Sequence, residues 1–341
     1  MTLQHALDLH QAGHHDDAER AYREYLQAQP EDADALHLLG VLRQQRHDTD
    51  GAIELMRQAI ALSPDEAQYH LSLGGSLLRS GDLDAARASF EHALVLDPNS
   101  AAAHGVLGHL ALHGGAVAAA ENRFRVGRRV DHDDPLILFG LGNVYLERGD
   151  AANAAKFLSR AAELKPGDAA IQAGLGRALF EQGAFGLAEQ AFANALAIKP
   201  DLGIARLYLA RAQLRQNKLD DARDAFAQLA AANVQALYAH AGLGDVARMQ
   251  GRIAHALKHY RRALALDPAH AGAANACAWC MEQLGDLDGA AGYLSDGLRH
   301  SPAADELRRP LSDLLERLGR RDEAARLRAE LGSGMSAAGD R

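Results

Sequence analysis

The chain is poor in aromatic residues and cysteine, and it has no long apolar run. Only 5% of its 341 residues are aromatic although 48% are hydrophobic, so alanine and leucine must supply most of any core. The two cysteines, Cys277 and Cys280, cannot build a disulfide framework, which is typical of a reducing compartment. No segment approaches the ~18 uninterrupted apolar residues of a membrane-spanning helix, and the N-terminus lacks the basic and apolar parts of a secretion signal. We therefore expect a cytoplasmic protein that does not associate with membranes.

Basic residues are also in the minority. Lys and Arg number 36 against 45 Asp and Glu, which gives a formal net charge of −9. A protein that binds nucleic acid without sequence preference needs a basic surface to neutralise phosphates. The charge balance therefore predicts that nucleic acid is not a partner.

The few prolines that are present follow a period. Seven of the nine are separated by 34 residues or a multiple of 34: Pro30, Pro64, Pro98, Pro166, Pro200, Pro268 and Pro302. The two vacant places in this series hold His132 and Val234. A fixed period of this length is the signature of a repeat architecture.

Other columns keep the same register. Alanine occurs twelve residues before each proline place, and once more after the last: Ala18, Ala52, Ala86, Ala120, Ala154, Ala188, Ala222, Ala256, Ala290 and Ala324. Five residues before each of these alanines stands glycine or, in two repeats, His or Asn: Gly13, His47, Gly81, Gly115, Gly149, Gly183, Asn217, Gly251, Gly285 and Gly319. This column fits a helix end, because the residue after a helix commonly adopts a left-handed conformation. The Asp that follows several of these glycines, such as Asp82, Asp150 and Asp286, can cap a second helix.

Two further columns indicate how the helices pack. A small residue stands at the eighth position of most units, including Gly74, Gly108 and Gly142, where two antiparallel helices would cross closely. A large residue such as Phe90 or Phe124 stands at the twenty-fourth and would fill the space between consecutive units.

Together these residues resemble the tetratricopeptide repeat. Residues 67–100 form a nearly complete instance, with the family's residues at Leu73, Gly74, Leu77, Gly81, Ala86, Phe90, Ala93 and Pro98. The resemblance implies an all-α fold, a right-handed superhelical α-solenoid of about ten 34-residue helix–turn–helix repeats. We expect one uninterrupted domain over 1–331, followed by a disordered tail over 332–341. The expected repeats lie near 1–32, 33–66, 67–100, 101–134, 135–168, 169–202, 203–236, 237–270, 271–304 and 305–331.

In this family the first helices of the repeats line a concave groove. The resemblance therefore places a partner-binding surface on His109, His113, Phe139, Asn143, Arg177, Phe180, Arg211, Arg215, Tyr238, Arg248, Asn275 and Trp279. Arginines beside aromatic residues favour a peptide that carries carboxylates and apolar anchors. An alternative remains open, in which the arginines pair with Glu147, Glu181, Asp245 and Glu282 of the same surface.

Several motifs could carry chemistry, but each has a structural explanation. Cys277 and Cys280 form a C-x-x-C pair inside a helical segment, where buried structural cysteine is favoured over zinc or redox chemistry. His109 with His113 and His255 with His259 have the i, i+4 spacing of metal ligands, but neither pair belongs to a metalloenzyme motif. His240 shares a repeat position with His70 and His104 and is interpreted as a packing residue. We find no phosphate loop or nucleophile motif, and predict no enzyme activity, no cofactor and no metal site.

The predicted function is a non-enzymatic scaffold or adaptor that binds an extended peptide or a partner protein. One alternative is an accessory or targeting subunit of a separate transferase. It rests on the likeness of the segments at 33–40 and 69–74 to the repeat arms of bacterial glycosyltransferases and sulfotransferases, which carry a catalytic domain that is not seen here. Self-association through apolar residues of the groove is a third alternative.

Overall fold

The computed structural model describes residues 2–337, and the described part of the chain is entirely helical. Twenty helices alternate with short turns, and the described residues form no strand. Consecutive helices pack as antiparallel pairs, and each pair contacts the next within its own unit. The predicted all-α solenoid fold is confirmed.

Contacts between helices divide the chain into two compact units, Met1–Pro166 and Gly167–Arg341. The first unit contains α1 Leu3–Gln11, α2 His15–Ala28, α3 Ala33–Gln45, α4 Thr49–Leu62, α5 Ala67–Ser80, α6 Leu83–Leu96, α7 Ala101–His113, α8 Val117–Val130, α9 Pro135–Glu147 and α10 Ala151–Leu164. The second contains α11 Ala169–Glu181, α12 Phe185–Ile198, α13 Gly203–Arg215, α14 Leu219–Ala231, α15 Ala236–Met249, α16 Ile253–Leu266, α17 Ala271–Gln283, α18 Leu287–His300, α19 Asp305–Arg317 and α20 Arg321–Ala337. The boundary falls between the fifth and sixth helix pairs, and a single uninterrupted domain stays a prediction.

Each helix pair turns at a residue with positive φ. All ten members of the glycine column adopt this conformation, including the two that are not glycine, His47 at 64° and Asn217 at 62°. At Gly149, the amide of the next residue, Asp150, donates to the carbonyl of Tyr145 at 2.9 Å and closes the end of α9. The Asp150 carboxylate then accepts from the amide of Asn153 at 3.1 Å and caps α10. One dipeptide therefore ends one helix and starts the next.

The core follows the small and large columns. All ten alanines of the alanine column are fully buried. Eighth-position glycines face the large residue of their own repeat: a Cβ on Gly142 would lie 2.4 Å from Cγ of Leu158, and one on Gly108 would lie 2.6 Å from the Phe124 ring. The same ring also meets the following repeat, because a Cβ on Gly140 would lie 2.2 Å from it. The large residue thus packs against a helix on either side of it in the chain.

The connection between α14 and α15 departs from the others. It lacks the proline, and Asn233 and Gln235 both have positive φ, at 53° and 50°. Val234 packs against Gly203 so closely that a Cβ there would lie 2.3 Å from the valine Cγ1. As a result α15 begins at Ala236, one residue before the expected repeat boundary.

The C-terminal boundary also differs from the expectation. α20 continues to Ala337, so residues 332–337 of the segment predicted to be a disordered tail are helical, while 338–341 lie outside the described residues. The composition of the segment, rich in Gly and Ser, suggested disorder. A helix that has already nucleated gains one hydrogen bond for each residue it adds, which favours its extension.

Candidate functional site

All twelve residues of the predicted partner-binding surface lie on first helices of repeats. Four are in the first unit, on α7 and α9, and eight are in the second unit, on α11, α13, α15 and α17. Each group is described within its own unit.

In the first unit, His109 is held by a hydrogen bond and by contacts with two aromatic rings. Its Nε2 donates to the carbonyl of Leu136 at 3.0 Å, and its ring stacks on Phe139 with centroids 5.8 Å apart. A second contact, edge to face at 4.9 Å, joins it to Phe124. Burial lowers the pKa of His109, although the bond to Leu136 acts in the opposite direction. This histidine therefore links consecutive first helices.

The other two residues of this group leave polar atoms available. His113 is exposed at the end of α7, and Asn143 is half-buried on α9. Neither forms a hydrogen bond with another side chain or with the backbone turns in the described part of the chain. The bond to the Leu136 carbonyl occupies Nε2 of His109.

The second unit contains a denser arrangement, which we call the arginine–aromatic cluster: Phe180, Phe185, Tyr208, Arg211, Arg215 and Tyr238. Arg211 lies between two tyrosines, with its guanidinium carbon 5.5 Å from the ring centroid of Tyr208 and 5.6 Å from that of Tyr238. Because Tyr238 is on α15, the arginine of α13 joins consecutive first helices. Both distances are within the range of cation–π attraction, about 6 Å.

Arg215, one turn further along α13, makes a similar contact. Its guanidinium carbon lies 4.4 Å from the centroid of Phe185, which in turn meets Phe180 edge to face at 5.3 Å. Phe180 also contacts Tyr208 at 5.6 Å, so the aromatic rings are continuous from α11 to α13. The cluster thus holds two guanidinium groups against a connected set of rings.

Arg211 and Arg215 differ from the other two predicted arginines in what neutralises them. Arg177 forms an ion pair with Glu181 at 3.1 Å, and Arg248 forms one with Asp245 at 3.4 Å. Neither Arg211 nor Arg215 has a carboxylate within ion-pair distance among the described residues. Internal pairing therefore accounts for two of the four arginines and, within the described residues, leaves two cations that contact aromatic rings and have no carboxylate partner.

Apolar anchors flank the cluster towards α17. Trp279 is 36% exposed, and the guanidinium carbon of Arg248 lies 5.6 Å from its ring centroid. Asn275 is exposed one turn earlier on α17. Tyr238 is 42% exposed, so the surface of the second unit offers aromatic faces as well as cations.

Sequence reasoning missed two members of the cluster, Tyr208 and Phe185. Both replace residues that are usually aliphatic or small at their repeat positions, as Gly140 and Leu219 are in other repeats. An aromatic residue that departs from its column near a predicted arginine is the signal that could have identified them.

The remaining sequence motifs either have a structural role or consist of residues that do not come together among the described residues. Cys277 and Cys280 are both fully buried, and burial raises the pKa of Cys277 to about 12 and raises that of Cys280 as well. Such thiols are poor nucleophiles at neutral pH. Among the described residues no three His, Cys, Asp or Glu side chains gather as metal ligands do. None of the described helices combines the length and the apolar character needed to cross a bilayer.

Comparison with solved structures places the fold among tetratricopeptide repeat proteins. PilF of Pseudomonas aeruginosa is similar with a TM-score of 0.53 and 20% identity, over 60% of this chain and 92% of PilF. A tetratricopeptide repeat protein of Parabacteroides merdae has a TM-score of 0.54 and 17% identity, over 73% of this chain and 98% of its own. Yeast Tom70 has a TM-score of 0.52 and 14% identity, over 96% of this chain and 90% of Tom70. No curated protein sequence matches the chain significantly.

Comparison with family models covers most of the chain. Residues 3–203 match the model described as the cilia and flagella-associated protein 70 C-terminal domain. Residues 207–271 and 247–299 match two tetratricopeptide repeat models. The first match alone spans more than half of the chain. The protein therefore belongs to the tetratricopeptide repeat family described by the model of the cilia and flagella-associated protein 70 C-terminal domain.

Proposed function

We propose that this protein is a non-enzymatic scaffold that binds a partner protein or an extended peptide on the first helices of its repeats. The observation that carries the proposal is the pair of cations in the arginine–aromatic cluster. Arg211 and Arg215 are held by rings and lack carboxylate partners among the described residues. A surface that needed only internal neutrality would pair them, as it pairs Arg177 and Arg248.

The geometry favours a partner that carries carboxylates. A guanidinium that is stacked on a ring keeps its N–H donors directed outward in the plane of the group, and those donors match the two oxygens of a carboxylate. Stacking also restricts the side chain before the partner arrives, which reduces the entropy lost on binding. Exposed Tyr238 and Trp279 supply apolar faces for neighbouring side chains of the same partner.

The test compares capture of partners by matched variants. Arg211→Gln with Arg215→Gln removes both unpaired cations but keeps a polar, uncharged side chain at each position. The control, Arg223→Gln, removes an exposed arginine of α14 that is already paired with Asp220 at 2.7 Å and Asp224 at 3.0 Å. Proteins retained by each variant are identified by mass spectrometry, and an acidic peptide from the strongest partner is then titrated by fluorescence anisotropy.

We expect the double variant to bind the acidic peptide at least tenfold more weakly, because a hydrogen bond to a charged group contributes about 1.5–3 kcal/mol. The control should bind like the unmodified protein. Equal capture by the unmodified protein and the double variant would show that the cluster does not contact the partner.

The same experiments address the other parts of the proposal. If the protein is instead an accessory subunit of a separate transferase, a transferase should be among the retained proteins, and the protein should change its activity. Self-association should appear as a mass above that of one 36.4 kDa chain in light scattering. A cytoplasmic location, which is part of the proposal, is tested by cell fractionation.

A further inference from the structure

A cavity of about 510 Å³ lies between α14, α15 and α16, and its lining shares no residue with the arginine–aromatic cluster. Most of its wall is alanine and leucine, and its polar groups are the side chains of Asn233, His240, His259 and Arg262. Its volume falls within the range of small-molecule sites, roughly 300–1,000 Å³.

The cavity coincides with the irregular connection of the fold. α14 has 13 residues where α12 and α16 have 14, and the connection that follows it contains the two positive-φ residues Asn233 and Gln235. Neither is glycine, so the conformation is energetically unfavourable and must be held by its surroundings. Backbone strain of this kind concentrates at functional sites.

His240 loses its usual hydrogen bond because of this connection. At the same repeat position, Nε2 of His70 donates to the carbonyl of Pro64 at 3.0 Å, and Nε2 of His104 donates to that of Pro98 at 3.1 Å. The acceptor is always six residues earlier, which for His240 is Val234. The His240 ring makes no hydrogen bond in the described part of the chain, and its Nδ1 is buried without a partner. His240 therefore keeps the repeat position of His70 and His104 but lacks the hydrogen bond that those two histidines make.

His259 and Arg262 of α16 complete the polar side of the cavity. The His259 ring stacks on that of His240 with centroids 5.9 Å apart, and its Nδ1 is also buried without a partner. Arg262 is exposed and has no carboxylate within ion-pair distance among the described residues.

The charged groups around the two rings are all cationic. Burial, followed by the charge of Arg262, lowers the pKa of His240. Burial lowers the pKa of His259 too, with contributions from His240, Lys258, Arg262 and His255. α14 contributes only alanines to the wall. No Asp or Glu among the described residues lines the cavity, so an incoming ligand can supply the negative charge.

We propose that this cavity binds a small organic anion, with its phosphate or carboxylate group between His240, His259 and Arg262 and its apolar part against the alanines. A metal ion is disfavoured, because the described residues offer no third ligand and Arg262 would repel it. The two imidazole rings and the Arg262 guanidinium line the cavity from two helices, and the guanidinium can donate hydrogen bonds to an oxyanion. None of the residues that line the cavity belongs to the predicted partner-binding surface.

The test uses the full chain and three probes: phenyl phosphate, benzoate and inorganic phosphate. Binding is followed by calorimetry and by the NMR signals of the histidine rings. We expect phenyl phosphate, benzoate or both to shift the His240 and His259 signals. We also expect the affinity to rise as the pH is lowered from 8 towards the ordinary histidine pKa of 6.5, because the anion favours uptake of a proton by the rings.

Variants decide whether the named residues form the site. Arg262→Gln changes an exposed residue and should weaken binding about tenfold or more without affecting folding. His240→Leu should also weaken it, and leucine is accepted at this repeat position as Leu36 and Leu138. The matched control is His70→Leu, which removes a histidine from the same column outside the cavity.

Two outcomes would overturn the proposal. One is the absence of any shift of the His240 and His259 signals with all three probes. The other is equal binding by Arg262→Gln and His70→Leu. If inorganic phosphate binds as tightly as phenyl phosphate, the role assigned to the apolar wall is wrong. Comparison of phenyl phosphate with benzoate distinguishes phosphate from carboxylate as the preferred group.

Discussion

Replacing Gly140 by alanine tests whether the aromatic ring of a repeat sets the distance between that repeat and the following one. Gly140 lies on α9 and faces Phe124 of α8, which is fully buried. A Cβ at this position would lie 2.2, 2.3 and 2.7 Å from three ring carbons, whereas carbon atoms attract each other best at about 3.5–4.0 Å. Gly108 approaches the same ring, where a Cβ would lie 2.6 Å away, so the ring has little room to move.

The expected loss follows from two opposing effects. Overpacking of a well-filled core costs about 1–3 kcal/mol. Alanine is a better helix former than glycine by about 1 kcal/mol. We therefore expect Gly140→Ala to lower the free energy of unfolding by up to about 2 kcal/mol, which corresponds to a melting temperature lower by up to about 8 °C for a unit of this size.

A control within the same unit isolates the packing effect. Gly75 lies inside α5, and a Cβ there would meet only Nε2 of Gln44, at 3.5 Å. Gly75→Ala should therefore stabilise the protein by up to about 1 kcal/mol. Urea and thermal unfolding, followed by circular dichroism, measure both variants.

A second substitution shows whether the ring is the cause. Leucine replaces the aromatic residue in the fifth repeat as Leu158, so Phe124→Leu is a natural exchange. Combined with Gly140→Ala it should cost less than the sum of the two single changes, because the added methyl fills the space that the ring leaves. The reasoning fails if Gly140→Ala is as stable as Gly75→Ala, or if the two effects at Gly140 and Phe124 simply add.

Three further predictions concern single residues. The hydrogen bond from Arg43 lowers the pKa of Asp48 below the ordinary value of 3.8. The stabilisation that Asp48 contributes is therefore complete above that value and is lost as the pH falls through the pKa in the folded protein. When the pH is lowered from about 5 to about 3, the urea midpoint should fall more for the unmodified protein than for Asp48→Asn. His47→Gly should raise the free energy of unfolding by about 1 kcal/mol, because φ of 64° is unfavourable for a residue with a side chain, and an unchanged urea midpoint would contradict this. Cys277 and Cys280 should resist iodoacetamide at pH 8 in the folded protein and react only in denaturant; mass spectrometry that shows rapid labelling of the folded chain would mean that the helix opens.

Features that every repeat needs could be predicted from the sequence. The period, the helix pairs and the left-handed turns follow from columns such as Gly81 and Gly149, because backbone geometry leaves little choice at those positions. Burial of the alanine column was predictable for the same reason. All twelve predicted surface residues lie on first helices, since the period alone assigns a residue to a helix.

Contacts between different repeats were harder to predict. Whether an arginine meets a carboxylate or a ring depends on one side chain of the next repeat, and the period does not say which side chain is near enough. Arg211 reaches Tyr238 on α15, while Arg177 pairs within its own helix. The cavity was not predictable either, because it arises from a connection whose backbone departs from the period, at Asn233 and Gln235.

The ring between consecutive first helices has a consequence for how such chains can evolve. Phe124 is followed by Gly140 and Phe226 by Gly242, where a Cβ would lie 2.4 Å from the ring, whereas Phe192 is followed by Tyr208, whose ring stacks on it at 5.6 Å. Each of these three junctions therefore has its own matched pair, although the repeats look interchangeable in sequence. Duplication or recombination that cuts at repeat boundaries would separate these pairs, whereas an exchange that carries the second helix of one repeat together with the first helix of the next would inherit them intact.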